Sequence, residues 1–282
     1  MSAATETFIQ FWRRFTPGSA PFVHPEDATS KFLPDFELSL LPVPFIGSLK
    51  EAEAIVLMLN PGLDSTDVHW ETKPAFRLAL ERNLAQSGTC DPFPNVYLNP
   101  AFEMHPGAGY WAKSRSIPGK RDLQKLNSII QAVAHRDGVT FAEAQQHVSR
   151  KVSIVQLAPY HSATLKRRQV LSALPSARQA RDFVAGVVRE KSKLVIVARS
   201  ASEWGFISPI NTDHLVVYKP TLGASASLTI TSEGGACFAC TTVADRHMTP
   251  NNVFKPTSFH GPVRVAGGAC HPDHPAARCG LT

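Results

Sequence analysis

Five apolar residues, Ile55 to Leu59, run unbroken and stop at Asn60-Pro61-Gly62. An asparagine at the end of a rigid strand can hold a water molecule with its side-chain carbonyl. A glycine two residues on lets the backbone approach a ligand. The same triplet also makes an ordinary strand-to-loop turn, since all three residues favour turns. Asp64 adds a carboxylate, in a position equally suited to capping a turn or a helix. A second apolar run, "VSIVQLAPY", delivers an amide at Gln156, then Pro159, Tyr160 and His161. A histidine there suits acid–base work, or a hydrogen bond that holds a loop. A later run, "HLVVYKP", ends in Lys219-Pro220, with Thr221 next. Trp70, Phe76 and Tyr110 offer rings for stacking on a flat ligand. Phe76 fits the apolar face of a helix as well.

Cations gather at Lys113, Arg115, Lys120, Arg121 and Lys125, at Lys166-Arg167-Arg168, and at Arg178 and Arg181. Tyr110 and Trp111 precede the first group. Rings beside cations suit single-stranded nucleic acid, through stacking and phosphate contact. A solvated basic face is the other reading. Cys237-x-x-Cys240 with Cys270, His271, His274 and Cys279 has zinc-ligand residue types. The first pair sits in an apolar, strand-like stretch and the others in a tail-like one, so no metal or other cofactor is expected. No G-x-x-x-x-G-K-[ST] or G-x-G-x-x-G follows the first strand, which argues against a nucleotide phosphate cradle. A Gly-x-Ser-x-Gly elbow is also lacking.

These residues need a scaffold, and the hydrophobic periodicity predicts one. Core strands are expected at 54–59, 152–160, 193–198 and 214–220. Helices are expected at 5–15, with Phe8, Trp12 and Phe15 on one face, and at 74–86, with Phe76, Leu80 and Leu84 on one face. Further helices fall at 122–135, 139–148 and 175–191, the last with Ala180, Phe183, Val184 and Val187 inward. Residues 17–50 read as proline-rich and irregular, and 87–121 as a long Pro/Gly/aromatic segment of the kind that carries function or is partly ordered by short elements. Strands alternating with helices imply an α/β fold: a three-layer α/β/α sandwich on a mostly parallel sheet. Right-handed crossovers then bring the carboxyl ends of the strands to one edge, where ligands bind open α/β sheets. Asn60, Gln156, Tyr160, His161, the Arg199-Ser200 turn and Lys219-Pro220-Thr221 are expected to converge there. The organisation expected is a helix and irregular segment packed on the core (1–43), an α/β domain (44–232), and edge strands with a tail (233–282).

The bulk composition is permissive. A chain of 282 residues with 43% hydrophobic content can fill one large core. A net charge of +6 fits an anionic partner. There is no run of eighteen apolar residues, so no membrane span or membrane partner is expected. The first residues lack the basic-then-apolar order of a signal peptide. Five cysteines, an odd number, suit a reducing cytoplasm better than a disulfide framework.

Taken in order, four pieces carry a resemblance. "VLMLNPG" resembles the first motif of the uracil-DNA glycosylase superfamily, in its mismatch-specific and single-strand-selective branch. "IVQLAPYHS" is similar to that group's middle strand, "SARQARDFVAGVVREKSKLVIVARSASEWG" to the helix, strand and turn after it, and "HLVVYKPTL" falls where the family has His-Pro-Ser. The match spans about residues 44–228. It implies a DNA glycosylase that flips a uracil or other damaged base out of DNA and hydrolyses its N-glycosidic bond. On that match Asn60 holds the water, and Gln156 takes the base-reading amide position and Pro159 the following proline. Pro61, Gly62, Asp64, Tyr160 and His161 line the base site, and Trp70 is the ring nearest the first motif. Lys219 and Thr221 fall at the second motif. There Lys219 would contact a phosphate or donate to the departing base, and as a flexible point charge it suits the phosphate better. Lys113, Arg115, Lys166, Arg167 and Arg168 are expected on the DNA backbone, with single strands a candidate partner. The chain departs from the family at Lys219, where the family has histidine, at Gln156, one methylene longer than asparagine, and at Arg199-Ser200, where glycine is common. A non-catalytic nucleic-acid or nucleotide-binding module on the same fold is the alternative.

Overall fold

The computed structural model describes residues 2–87, 91–111, 125–165, 168–197, 199–207 and 210–218. Six strands form one mixed sheet: β1 (Phe45–Ile46), β2 (Ala54–Met58), β3 (Val152–Gln156), β4 (Leu194–Val197), β5 (Ile210–Asn211) and β6 (Leu215–Val217). Their spatial order is β1-β3-β2-β4-β6-β5. β3, β2, β4 and β6 run parallel, and β1 and β5 pair antiparallel at the two edges. The central segments AIVLM, VSIVQ and LVIV are rich in β-branched residues and buried almost throughout. Near-continuous apolar runs of this kind belong to strands covered on both faces.

The helices are α1 (Ala3–Arg13), α2 (Asp67–Glu71), α3 (Pro74–Ala85), α4 (Pro106–Trp111), α5 (Lys125–Asp137), α6 (Phe141–Lys151), α7 (Val170–Ala173) and α8 (Pro175–Glu190). Their ends follow local chemistry. Ser2 caps α1, and Thr140 with Glu143 forms a capping box on α6. α3 and α8 open on proline, where the missing N–H costs nothing. α1 lies on α8, with Phe8 stacked on Phe183 at 4.8 Å and edge-on to Phe45 at 5.7 Å. Gly186 permits that approach, since a Cβ there would lie 2.4 Å from the Ala4 Cβ.

The structure differs from the sequence reading at short elements, α2 and α7 among them, and at one strand end. β1 lies inside the stretch read as irregular, and β5 was also not expected; two-residue strands are too short to show a period of two. β3 ends at Gln156 rather than Tyr160, although the Leu157 and Ala158 amides still bond to the Met58 and Leu59 carbonyls at 3.0 and 2.7 Å. Among the described residues of the long segment before α5, short 3-10 turns lie at Val96–Leu98 and Pro100–Phe102 and lead into α4, the short elements expected there. No helix among the described residues is long and apolar enough to cross a membrane.

Candidate functional site

β2 and its parallel neighbours all point their carboxyl ends the same way, and Asn60-Pro61-Gly62 leaves β2 there. The Asn60 Nδ2 donates to the Ser162 carbonyl at 3.0 Å and to the Ser162 Oγ at 3.1 Å. A carbonyl only accepts, so this contact fixes which end of the amide is nitrogen. The Asn60 Oδ1 then faces the other way and accepts no hydrogen bond among the described residues. Gly62 has φ +78°, with nothing within 4 Å of the position a Cβ would take. Glycine is needed there for the backbone angle, and the space beside it is open. Pro61, Gly62 and Asp64 are half-buried.

His161 ties the loop after β3 to this one, its Nδ1 donating to the Gly62 carbonyl at 3.0 Å. The ring is buried, and desolvation pushes its pKa down to about 4, with the Gly62 and Leu41 carbonyls and Glu37 opposing. Its Nε2 is sealed and makes no hydrogen bond, the Leu41 carbonyl facing the ring outside hydrogen-bond geometry. A neutral, enclosed imidazole serves here as a clamp on Gly62. Gln156 is 4% exposed at the end of β3, and its Oε1 is buried with no partner. Sealed amide oxygens are normally bonded, so this one marks an unfilled acceptor.

Other predicted residues have structural employment. The Pro159 carbonyl accepts from the Val43 N–H at 2.7 Å. Tyr160 points into the core: its hydroxyl donates to the Asp27 Oδ2 at 2.7 Å and accepts from the His24 N–H at 3.1 Å. Asp27 in turn accepts from the Ser176 N–H at 3.0 Å, at the start of α8. The Asp64 Oδ1 accepts from the Thr66 N–H and hydroxyl at 3.0 and 2.8 Å, a turn contact. Trp70 meets Phe76 and His105 edge-on, and the Lys73 Nζ lies 3.4 Å from its ring centroid. A base would have to displace Lys73 to stack on that face. Phe76 is 2% exposed, a core residue. Tyr110 is 37% exposed and within electrostatic reach of Arg199, on the turn after β4. Arg168 pairs with Glu203, and Arg181 is held by the Glu203 and Leu171 carbonyls. Lys113, Arg115, Lys166, Arg167, Lys219 and Thr221 lie outside the described residues, as do the cysteines from Cys237 onward.

The sequence reading missed Ser162, Asp67 and His105. Ser162 directly follows His161, and Asp67 ends the Asp64-Ser-Thr-Asp67 run, whose spacing is that of a cap. A Val96-to-Phe102 stretch of turns leads into His105, which gave no periodic signal. The Asp67 Oδ2 accepts from the Asp64 N–H at 2.7 Å. Burial raises its carboxyl, with the Asp64 charge adding and the Asp64 N–H opposing.

A shallow concavity lies at the opposite edge, by the amino end of β2, lined by Ser48, Lys50, Arg82, Asn83, Gln86 and Asp91. Its amide nitrogens, and the Gln86 oxygen, are spent on the scaffold. Asn83 and Gln86 both donate to the Gly47 carbonyl, at 3.1 and 3.0 Å, and the Gln86 Oε1 accepts from the Leu49 N–H at 2.8 Å. The Asn60 and Gln156 acceptors lie at the carboxyl edge, while the Glu53 Oε2, just before β2, is also buried without a partner among the described residues. No family model, curated protein or solved structure matches this chain.

Proposed function

We propose that the carboxyl edge is the base site of a DNA N-glycosylase of the uracil-DNA glycosylase type. The observation that carries this reading is the state of two amides at the carboxyl ends of adjacent strands. Asn60 has its nitrogen anchored and its oxygen unengaged, and Gln156 has a sealed oxygen with no partner. The β2–β3 register pairs Met58 with Gln156. The alternation of an extended chain carried past Met58 puts Asn60 toward the face of Gln156. In this reading the Asn60 Oδ1 accepts from the attacking water and the Gln156 amide reads the edge of the flipped base. Tyr110, more exposed than Trp70, takes the stacking role, and a phosphate contact falls to Lys219. The sheet then carries helices on both faces, in three layers. The β2-to-β3 and β3-to-β4 connections run in opposite directions along the sheet order, so right-handed crossovers place α6 and α8 on opposite sides. The partner in this reading is DNA, with single strands a candidate form, in the cytoplasm.

The test is release of free base from single- and double-stranded oligonucleotides containing uracil or other damaged bases. Release from at least one substrate supports the reading. Binding without release from any supports a non-catalytic module on the same fold, which the local engagement of the Asp64 carboxylate favours.

A further inference from the structure

The reaction above leaves Glu71 unused, yet its side chain is only 8% exposed at the end of α2. Burying a carboxyl is costly unless it is bonded, so what it holds is informative. Both of its oxygens accept from the Leu41 N–H, at 3.1 and 3.0 Å, and the Arg77 Nη1 donates to the Oε2 at 3.2 Å. Leu41 is 1% exposed, so its N–H depends on that carboxyl. Leu41 lies in the segment 37–44, which is bonded along the end of β3 and the loop after it. The Glu37 N–H donates to the His161 carbonyl at 2.8 Å and the Val43 N–H to the Pro159 carbonyl at 2.7 Å. The Pro44 carbonyl accepts from the Gln156 N–H at 2.8 Å. Pro42 and Pro44 flank Val43 and stiffen the stretch, because each ring fixes its φ. The segment is a strap, tied to Gln156, Pro159 and His161 on one side and to Glu71 on the other. α2 belongs to the connection that Asn60 and Gly62 open, and these two residues bond to Ser162 and His161. The hydrogen bonds therefore close a circuit. It runs from Gly62 along the chain to Glu71, across to Leu41, along the strap to His161, and back to Gly62.

We propose that Glu71 is a positioning residue of the carboxyl-edge site: by holding Leu41 it fixes the strap, and the strap fixes Gln156 and His161 relative to Asn60 and Gly62. Its effect on a reaction rate rests on the glycosylase reading; the tie itself does not. Without an acceptor, the Leu41 N–H becomes a buried donor with no partner, and the strap must shift to pair it. A stiff strap passes that shift to the residues bonded to it. Reacting geometry tolerates little of this, since a misplacement of about 1 Å can cost about 100-fold in rate. The tie needs an acceptor at this place and not a charge. A carboxyl accepts whether neutral or ionised, and so does an amide oxygen. Arg77 holds the carboxyl from its other side and is itself braced, donating to the Glu81 Oε1 at 2.8 Å and lying over the Phe22 ring at 4.6 Å.

Two measurements on the full chain test this with Glu71→Gln, which keeps an oxygen for Leu41, and Glu71→Leu, which removes it. The first is exchange of the His161 Nδ1–H with solvent by NMR, taken relative to the Ile55 amide in β2 so that a general loss of stability cancels. Exchange is expected to be about tenfold faster in Glu71→Leu and within about twofold of wild type in Glu71→Gln. An unchanged ratio in Glu71→Leu overturns the proposal. The second is single-turnover base release. Glu71→Leu is expected to be about tenfold slower with DNA affinity within about twofold, and Glu71→Gln to match the wild type within about twofold. Wild-type rates in Glu71→Leu, or equal slowing in both variants, overturn the positioning role and leave the glycosylase reading standing. If Glu71→Leu does not fold, Glu71→Asp takes its place with the same results expected, since it draws the acceptor back by one methylene. If the wild type releases no base, the glycosylase reading fails, and the ring N–H exchange alone decides the tie.

Discussion

A primary amide has a donating end and an accepting end, and at Asn60 the fold occupies the donating end. The Ser162 carbonyl and hydroxyl both accept from the Nδ2, which aims the Oδ1 away. Ser162→Ala removes the hydroxyl contact and keeps the carbonyl. We expect base release to slow about fivefold, the worth of one neutral hydrogen bond of about 1 kcal/mol, with DNA affinity unchanged. A loss as deep as that of removing Asn60 itself would show that the hydroxyl alone orients the amide. Asn60 was legible in the sequence because an apolar run stops on it. Its anchor was not, because the contact joins residues 102 positions apart. Tyr160 was misleading for a related reason. It stands in the middle of a motif-like run, yet its partner Asp27 lies 133 residues away in a segment with no periodicity.

At the scale of elements, the core strands were readable because parallel strands covered on both faces must be apolar throughout. α1, α3 and α8 were readable from helical spacing. The edges escaped notice, since β1 and β5 contribute only two residues each. The loop that leaves β2 is held by a short helix, α2, whose Glu71 deserves a test of its own. Both of its carboxyl oxygens accept from the Leu41 N–H, at 3.1 and 3.0 Å, and Arg77 lies 3.2 Å from one. Burial nevertheless raises its pKa from 4.5 to about 7, against the pull of the Leu41 N–H and Arg77. The folded chain therefore holds a proton that the unfolded chain has released across that window. The stability this group contributes is full below pH 4.5 and is lost as pH rises through about 7. Urea denaturation from pH 4.5 to 7.5 is expected to show Glu71→Gln gaining on the wild type as pH rises, by on the order of 2 kcal/mol. A constant difference across that range would mean that the carboxyl titrates as a free one.

At the scale of the whole molecule, the net charge of +6 is spread over surfaces of different kinds. Arg168 and Arg181, two of the cations that looked available for phosphate, are engaged by Glu203 and by carbonyls. Composition reveals how many cations there are and says nothing of which are already paired. Affinity for single-stranded DNA is expected to fall with salt, at a log–log slope of about −0.7 per phosphate neutralised. A flat salt response would remove DNA from the account. The central claim, that the carboxyl edge holds a water on Asn60 for attack at a flipped nucleotide, is tested most directly by one comparison. Single-turnover release of base from a uracil-containing single strand is measured for the wild type and for Asn60→Ala. The account predicts release by the wild type and a loss of about 100-fold or more in the variant, with the dissociation constant for the strand within about twofold. Equal rates in the two proteins, or no release by the wild type, would contradict it.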